Sequence, residues 1–363
     1  MPHVRLVACG IAALVIASAA SANVIGRGHP VPPPPEQAED SGPVIVPPPR
    51  PVPPLPPTRD AIDALLAELE IGPADHYRDL TVYPLRRRHG SARLRPLTFD
   101  EALRRGDLVV RERGAGRVNE VEVRNDARRH VFLMAGEVLT GAKQDRMFRD
   151  DVLLPPHSGW VPVSVYCVEQ GRWTPVSERF RSEKTLVPPA LRRQAQLHEP
   201  QARVWAGVNA AAAENRVRHG ATKRFNEIYA TPTVRARLSA YRAHYVPPRW
   251  GRTVGAVVCS RGRILGADIF SDPDLFDALW PKILDSYAMD ARRGRGWRGG
   301  NEWVRRFLRG ARSDNSSRHH VPTPGVGELL RISGRTSGFA LTYRDEAVHL
   351  NLHGEPIFVP LTE

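Results

Sequence analysis

Residues 131–173, VFLMAGEVLTGAKQDRMFRDDVLLPPHSGWVPVSVYCVEQGRW, constrain the fold more than any other stretch. Apolar β-type runs alternate there with a few polar residues that are costly to bury: Glu137, Gln144, Arg146, Glu169 and Arg172. A carboxylate at the end of an apolar strand must find a partner or shift its pKa. Each of the two glutamates is followed within nine residues by an arginine, the pattern of a buried ion-pair network or a ligand pocket.

Residues 161–169 sharpen this. Val161, Val163, Val165, Cys167 and Glu169 fall on one strand face, and Pro162, Ser164, Tyr166 and Val168 on the other. Glu169 therefore closes an apolar face, with Arg172 near enough for a bidentate pair. Two readings stand: a structural clamp that closes a turn, or an acid/base or ligand-orienting glutamate beside an anion-binding arginine.

The start of the chain carries a different message. Arg5, the uncharged apolar run Leu6–Ala20 and the small residues Ala20-Ser21-Ala22 have the layout of a secretory leader over residues 1–22, with a mature start at Asn23. The run is short for a hydrocarbon core of about 30 Å, and no later run approaches spanning length. The expectation is an exported chain, periplasmic or secreted, with no membrane span once the leader is cut. Residues 23–57 are Pro-rich, with PPPP at 32–35 and PPP at 47–49, and read as a semi-rigid spacer without a core. Beyond the leader two cysteines remain, Cys167 and Cys259; they are read as a disulfide or as buried free thiols.

Net charge is +13, but of 52 Lys plus Arg only four are lysines, leaving 48 arginines. Such Arg bias accompanies an Ala- and Pro-rich composition, so the basic balance implies only salt-sensitive attraction to acidic surfaces. RRGRGWRGG at 292–300 has the makeup of a polyanion-binding stretch, yet reads better as a loop; nucleic acid is not expected as a partner.

Folding is expected to begin near Thr58, as cap of a helix to about Glu70. Leu80–Leu85 reads as a strand, and Thr98 with Glu101 as a capping box for a helix ending at Gly106. Strands follow at 107–112, 118–124, 131–134, 137–140 and 161–168, then helical patterns over 188–244. Val254–Ser260 and Arg263–Phe270 form a hairpin turned at Arg261-Gly262. A helix capped at Ser271 or Asp272 follows, with a kink expected at Pro281. Another helix, Asn301–Ala311, and two strands, Gly338–Tyr343 and Val348–Leu352, complete the pattern. This order predicts one α+β domain over 58–363, with a mainly antiparallel sheet and a helical middle section.

GEVLTGAKQDR at 136–146 and CVEQGRW at 167–173 resemble the signature blocks of the ADP-ribosylglycohydrolase and rhodanese-phosphatase superfamily-associated protein domain. Residues 255–291 resemble its C-terminal block, and the resemblance runs from about Tyr77 to His353. Ala142 and Asp145 stand where the family often has a second Gly and an Asn. The resemblance implies a fold unit and a shared pocket, not a reaction. It marks Glu137, Gln144, Arg146, Cys167, Glu169, Arg172 and Trp173.

Other chemistry is thinner. Cys167 as nucleophile would need His130 or His157, which nothing in the sequence brings to it. His349, Asn351 and His353 share a strand face and could meet a metal, but surface histidines are the commoner explanation. No phosphate-cradling Gly loop, G-x-S-x-G or H-E-x-x-H is present. The expectation is a binding domain for a small anionic ligand, nucleotide- or sugar-derived, held by Gln144, Arg146, Arg172 and Trp173, without cofactor or metal. The alternatives are a hydrolase using Glu169 or Glu137 as general acid/base, and an envelope interaction protein without small-molecule chemistry.

Overall fold

The computed structural model describes residues 60–88, 92–114, 118–246, 252–291 and 299–354. The leader, the Pro-rich spacer and the Arg/Gly stretch over 292–298 lie outside the described residues.

The first helix, α1 (Ala61–Ala67), is capped by Asp60, whose carboxylate accepts from the amides of Ile62 and Asp63. This corrects the expected helix to Glu70: the chain leaves the helix at Glu68 because Leu69–Ile71 forms β1, paired with the later strand Leu80–Arg87. Strands β2 (Asp75–Tyr77), β3 (Leu80–Arg87) and β4 (Leu97–Thr98) lead into α2 (Phe99–Arg105). That helix has the full Thr98/Glu101 capping box and ends at Gly106 with φ +78°, a left-handed value that glycine adopts at little cost. Then come β5 (Leu108–Glu112), β6 (Glu120–Asn125), β7 (Val131–Leu133), β8 (Glu137–Gly141), β9 (Arg146–Phe148), β10 (Val152–Leu154), β11 (Gly159–Cys167) and β12 (Phe180–Leu186).

The helical middle comprises α3 (Pro189–Gln196), α4 (Gln201–Glu214), α5 (Asn226–Ala230) and α6 (Pro232–His244). The helical pattern breaks at Thr231, between the end of α5 at Ala230 and Pro232, which opens α6 at its first turn. The hairpin β13 (Thr253–Ser260) and β14 (Arg263–Phe270) turns at Arg261 and Gly262, both at positive φ, +49° and +75°. That pair of left-handed residues matches the right-handed twist of the flanking strands. Helix α7 (Pro273–Asp290) is capped by Asp272 and passes through Pro281 without ending. Its stripe of Leu275, Phe276, Leu279, Trp280, Ile283, Leu284 and Tyr287 is no more than 3% exposed, and each such side chain contributes about 1.5–3 kcal/mol on burial. Helix α8 (Asn301–Arg309) and strands β15 (Ser316–Val321), β16 (Glu328–Gly334), β17 (Gly338–Tyr343) and β18 (Glu346–His353) follow.

These elements make an α+β fold whose strand pairing is antiparallel except for β4 with β7 and an isolated Leu153–Gly325 bridge. A nine-stranded sheet runs β1-β3-β13-β14-β18-β17-β16-β15, with β2 also on β3. One face packs on α7 and the helical middle, the other on α1 and α8. A six-stranded sheet, β12-β8-β9-β11-β6-β5, has its own core of Leu108, Val110, Val121, Val123, Leu139, Phe148, Val163, Val165 and Phe180. Its edge strands meet at one bridge, Arg111 with Arg179, so the sheet curls into a nearly closed barrel. A three-stranded sheet, β10-β7-β4, accompanies them.

Cys167 sits on β11 and Cys259 on β13, in different sheets, and both are buried free thiols. Of the two readings of the cysteines, the disulfide is therefore the one that fails. The reading of His349, Asn351 and His353 as surface residues is also corrected. Strand β18 lies inside the nine-stranded sheet between β14 and β17, which leaves the three residues at most 9% exposed.

Candidate functional site

Inward positions of the barrel recur every second residue, and at one end they turn polar. Val110 is followed by Glu112 on β5, Val165 by Cys167 on β11, and Phe148 is preceded by Arg146 on β9. Register brings them together: Arg146 pairs with Cys167 on one side and Leu139 on the other, and Glu112 pairs with Val121. The Arg146 guanidinium is 0% exposed. Its Nη1 donates to Gln144 Oε1 at 2.8 Å and to Cys167 Sγ at 3.0 Å. Among the described residues, Nε and Nη2 have no hydrogen-bond acceptor. Glu112 Oε1 stands 3.9 Å from Nη2, beyond hydrogen-bond range, and accepts instead from the Lys143 amide at 3.2 Å. Glu112 Oε2 is buried without a partner. A buried polar group left unpaired costs about 1–3 kcal/mol, more when charged.

Trp173 roofs this mouth. Its ring centroid lies 5.7 Å from Arg146 Cζ and 5.3 Å from Lys143 Nζ. Around it the surface is apolar where it should be polar: Trp173, Val118 and Val176 are 48%, 46% and 66% exposed. Val118 presents its carbonyl to Cys167 Sγ, and the Val176 amide donates to Ala142 O. Burial pushes the Cys167 thiol up, against the pull of Arg146, so this sulfur is a protonated packing partner rather than a thiolate.

Strand alternation sends Asp145 the other way from Gln144 and Arg146. It joins a second cluster outside the mouth. Arg172 Nη2 and Nε donate to the Glu169 carboxylate at 2.6 and 3.0 Å, and Arg172 also meets Asp145 Oδ1 and the carbonyls of Gly141, Ala142 and Thr174. Glu169, fully buried, further accepts from the Asp145 amide. Arg224 holds Asp145 Oδ2 at 2.9 and 3.0 Å. Burial raises the Asp145 carboxyl despite Arg224, with Glu169 adding to the rise. This cluster is saturated and pins the loop that carries Gln144 and leads into Arg146 on β9. Arg172, expected as a ligand contact, spends its donors here.

Glu137 is not part of either group. It lies at the far end of β8, four residues from Gly141, roughly 13 Å away at about 3.3 Å per residue. Its Oε1 accepts from Lys282 Nζ at 2.6 Å and its Oε2 from the Met134 amide at 2.8 Å. Lys282 also pairs with Asp100. Burial pushes Glu137 up to about 6, opposed by Lys282. The two glutamates therefore do not converge.

A third buried network holds His349 and Asn351, which the sequence marks by their shared strand face, together with Asp151, Arg192, Asp268 and Tyr287, which it does not mark. His349 Nδ1 meets Asp151 Oδ2 at 2.6 Å and its Nε2 meets Asp268 Oδ1 at 3.1 Å. Arg192 grips Asp268 with two bonds, at 2.8 and 2.9 Å, and the Tyr287 hydroxyl and Asn351 amide also donate to it. Burial alone would raise Asp268, but Arg192 and His349 hold it well below the usual carboxylate range. Burial alone would lower His349, but Asp151 and then Asp268 push it up to about 9. Asp268, the one charged residue in the apolar run ILGADIF, carries the same signal that marked Glu137.

Fold and site together define an α+β protein built around a nearly closed antiparallel barrel with an unsaturated cation buried at its mouth. The chain belongs to the ARG and Rhodanese-Phosphatase-superfamily-associated Protein domain family, ARPP-1, whose model matches residues 68–353. Comparisons with curated proteins and with solved structures give no match.

Proposed function

We propose that this is an exported binding domain that takes a small anionic ligand at the barrel mouth. One observation carries the reading: Arg146 is fully buried with two nitrogens that lack a hydrogen-bond acceptor among the described residues, facing Glu112 at 3.9 Å, whose other oxygen lacks a hydrogen-bond donor. A ligand that relieves both must bring an acceptor, such as a phosphate or carboxylate, and a hydroxyl or N–H donor. Nucleotide- and sugar-derived molecules carry that combination. Trp173 covers Arg146, so entry displaces the indole, and the apolar collar of Val118 and Val176 suits a ring or sugar face. The hydrolase alternative has less support, because Glu169 is enclosed by arginines and Glu137 has both oxygens engaged at 1% exposure. Export rests on the leader-like residues 1–22 and is checked by N-terminal sequencing of the protein from an extracytoplasmic fraction.

The test is calorimetric titration with ribose 5-phosphate, ribose and inorganic phosphate. The sugar phosphate is expected to bind more tightly than either half, and Arg146→Met to abolish binding with little loss of thermal stability. No binding by any probe, or an Arg146→Met variant that loses stability as a broken buried pair does, would return Arg146 to a structural role and favour the interaction-protein alternative.

A further inference from the structure

The barrel is closed by one bridge, and this leaves a second opening on its outer side. Past the Arg111–Arg179 bridge β5 and β12 part, and the C-terminal turn of α2 fills only some of the gap. What remains is a cleft of about 630 Å³ between Leu108–Val110 and residues 177–184. That volume lies within the range of about 300–1,000 Å³ typical of small-molecule sites. Leu103 and Val109 offer partly exposed apolar surface inside it.

Its rim is unusual in charge. Arg104, Arg179, Arg181 and Lys184 all line the cleft and are exposed, and none has an ion-pair partner among the described residues. Elsewhere on the same sheet outward arginines are matched: Arg111 with Glu122, Arg113 with Glu120, Arg124 with Asp126. The cleft's own carboxylates do not offset the rim. Asp100 is occupied by Ser182 and Lys282, which leaves Glu178 alone against four cations. Four like charges around one concavity repel each other and raise the local concentration of anions.

We infer that this cleft is a second binding site, separate from the mouth, for an anionic amphiphile: an alkyl chain carrying a carboxylate or phosphate head. The alkyl body lies on Leu103 and Val109 and is removed from water there; the head sits among Arg179, Arg181 and Lys184 at the rim. A purely inorganic anion leaves the apolar floor wet, and a neutral chain leaves the four cations unmatched.

The experiment titrates the full chain with decanoate, decyl phosphate, inorganic phosphate and decyltrimethylammonium, each below its micelle concentration. One or both decyl anions are expected to bind at least tenfold more tightly than phosphate, and the cation not to bind. Whichever decyl anion binds more tightly identifies the source of the head group as fatty acid or phosphate ester. Arg179→Glu/Arg181→Glu is expected to weaken binding at least tenfold, whereas Arg235→Glu, an equal charge change per site on the exposed side of α6, leaves it unchanged. All three positions are exposed, so the variants are expected to melt with the parent chain. As a second probe of the floor, Val109→Asn, which removes apolar surface without adding charge, is expected to weaken the decyl anions and not phosphate. Equal affinity for decanoate and decyltrimethylammonium, binding that survives the double charge reversal, or phosphate matching the decyl anions would each overturn the inference.

Discussion

Replacing either member of the Glu169–Arg172 pair should cost stability, and the two losses should be unequal. In Arg172→Met the fully buried Glu169 carboxylate loses contacts at 2.6 and 3.0 Å, and its remaining cation, Arg224, stands 3.8 Å away. Stranding a buried charge in this way costs about 3–5 kcal/mol. In Glu169→Gln the guanidinium keeps Asp145 and three carbonyl acceptors, and its side chain is 14% exposed. That loss is of the order of 1–3 kcal/mol. For a domain of this size each kcal/mol moves the midpoint by about 2–4 °C, so Arg172→Met is expected to melt roughly 6–20 °C below the parent. The double variant has no stranded charge and should melt above Arg172→Met. Thermal melts of the four proteins, analysed as a double-mutant cycle, measure the coupling directly. If Glu169→Gln costs as much as Arg172→Met, or the double variant recovers nothing, the argument from stranded charge is wrong.

Two further outcomes follow from buried groups. His349 gains affinity for its proton on folding, from 6.5 to about 9, so its contribution is complete below pH 6.5 and is lost as pH rises to 9. Denaturant unfolding at pH 6.5 and 9.5 should differ by roughly 3 kcal/mol, a difference that His349→Gln removes; an unchanged parent would refute the charged imidazole. Cys167 and Cys259 are both buried and both raised by burial, so neither should react with iodoacetamide until the chain unfolds, and mass analysis should show no change on adding reductant.

How much of this was legible depended on range. The capping box at Thr98, the Arg261-Gly262 turn and the stripe of α7 were readable because their partners lie within a few residues. Glu169 with Arg172 was readable for the same reason. Strands β9 and β10 are three residues each, too short for a period to show, and β12 loses its alternation at a bulge between Ser182 and Leu186. Strands β15 and β16 were missed because their faces carry Arg, His and Ser rather than a clean apolar row. Arg146 was marked, but Glu112 was not, because their meeting depends on three strand pairings. Lys282 meets Glu137 across 145 residues, and nothing local announces it.

The rarity of lysine gives that buried contact a practical meaning. A chain with 48 arginines keeps a compact ammonium at position 282, where the carboxylates of Asp100 and Glu137 approach one point. With Lys282 only 5% exposed, the side-chain amines open to solvent are Lys143, Lys184 and Lys223. Lys143 stands beside Trp173 at the mouth, and Lys184 stands on the rim of the cleft. A single amine-directed label, followed peptide by peptide, would thus watch both candidate sites in the unaltered protein, with Lys223 as the internal reference.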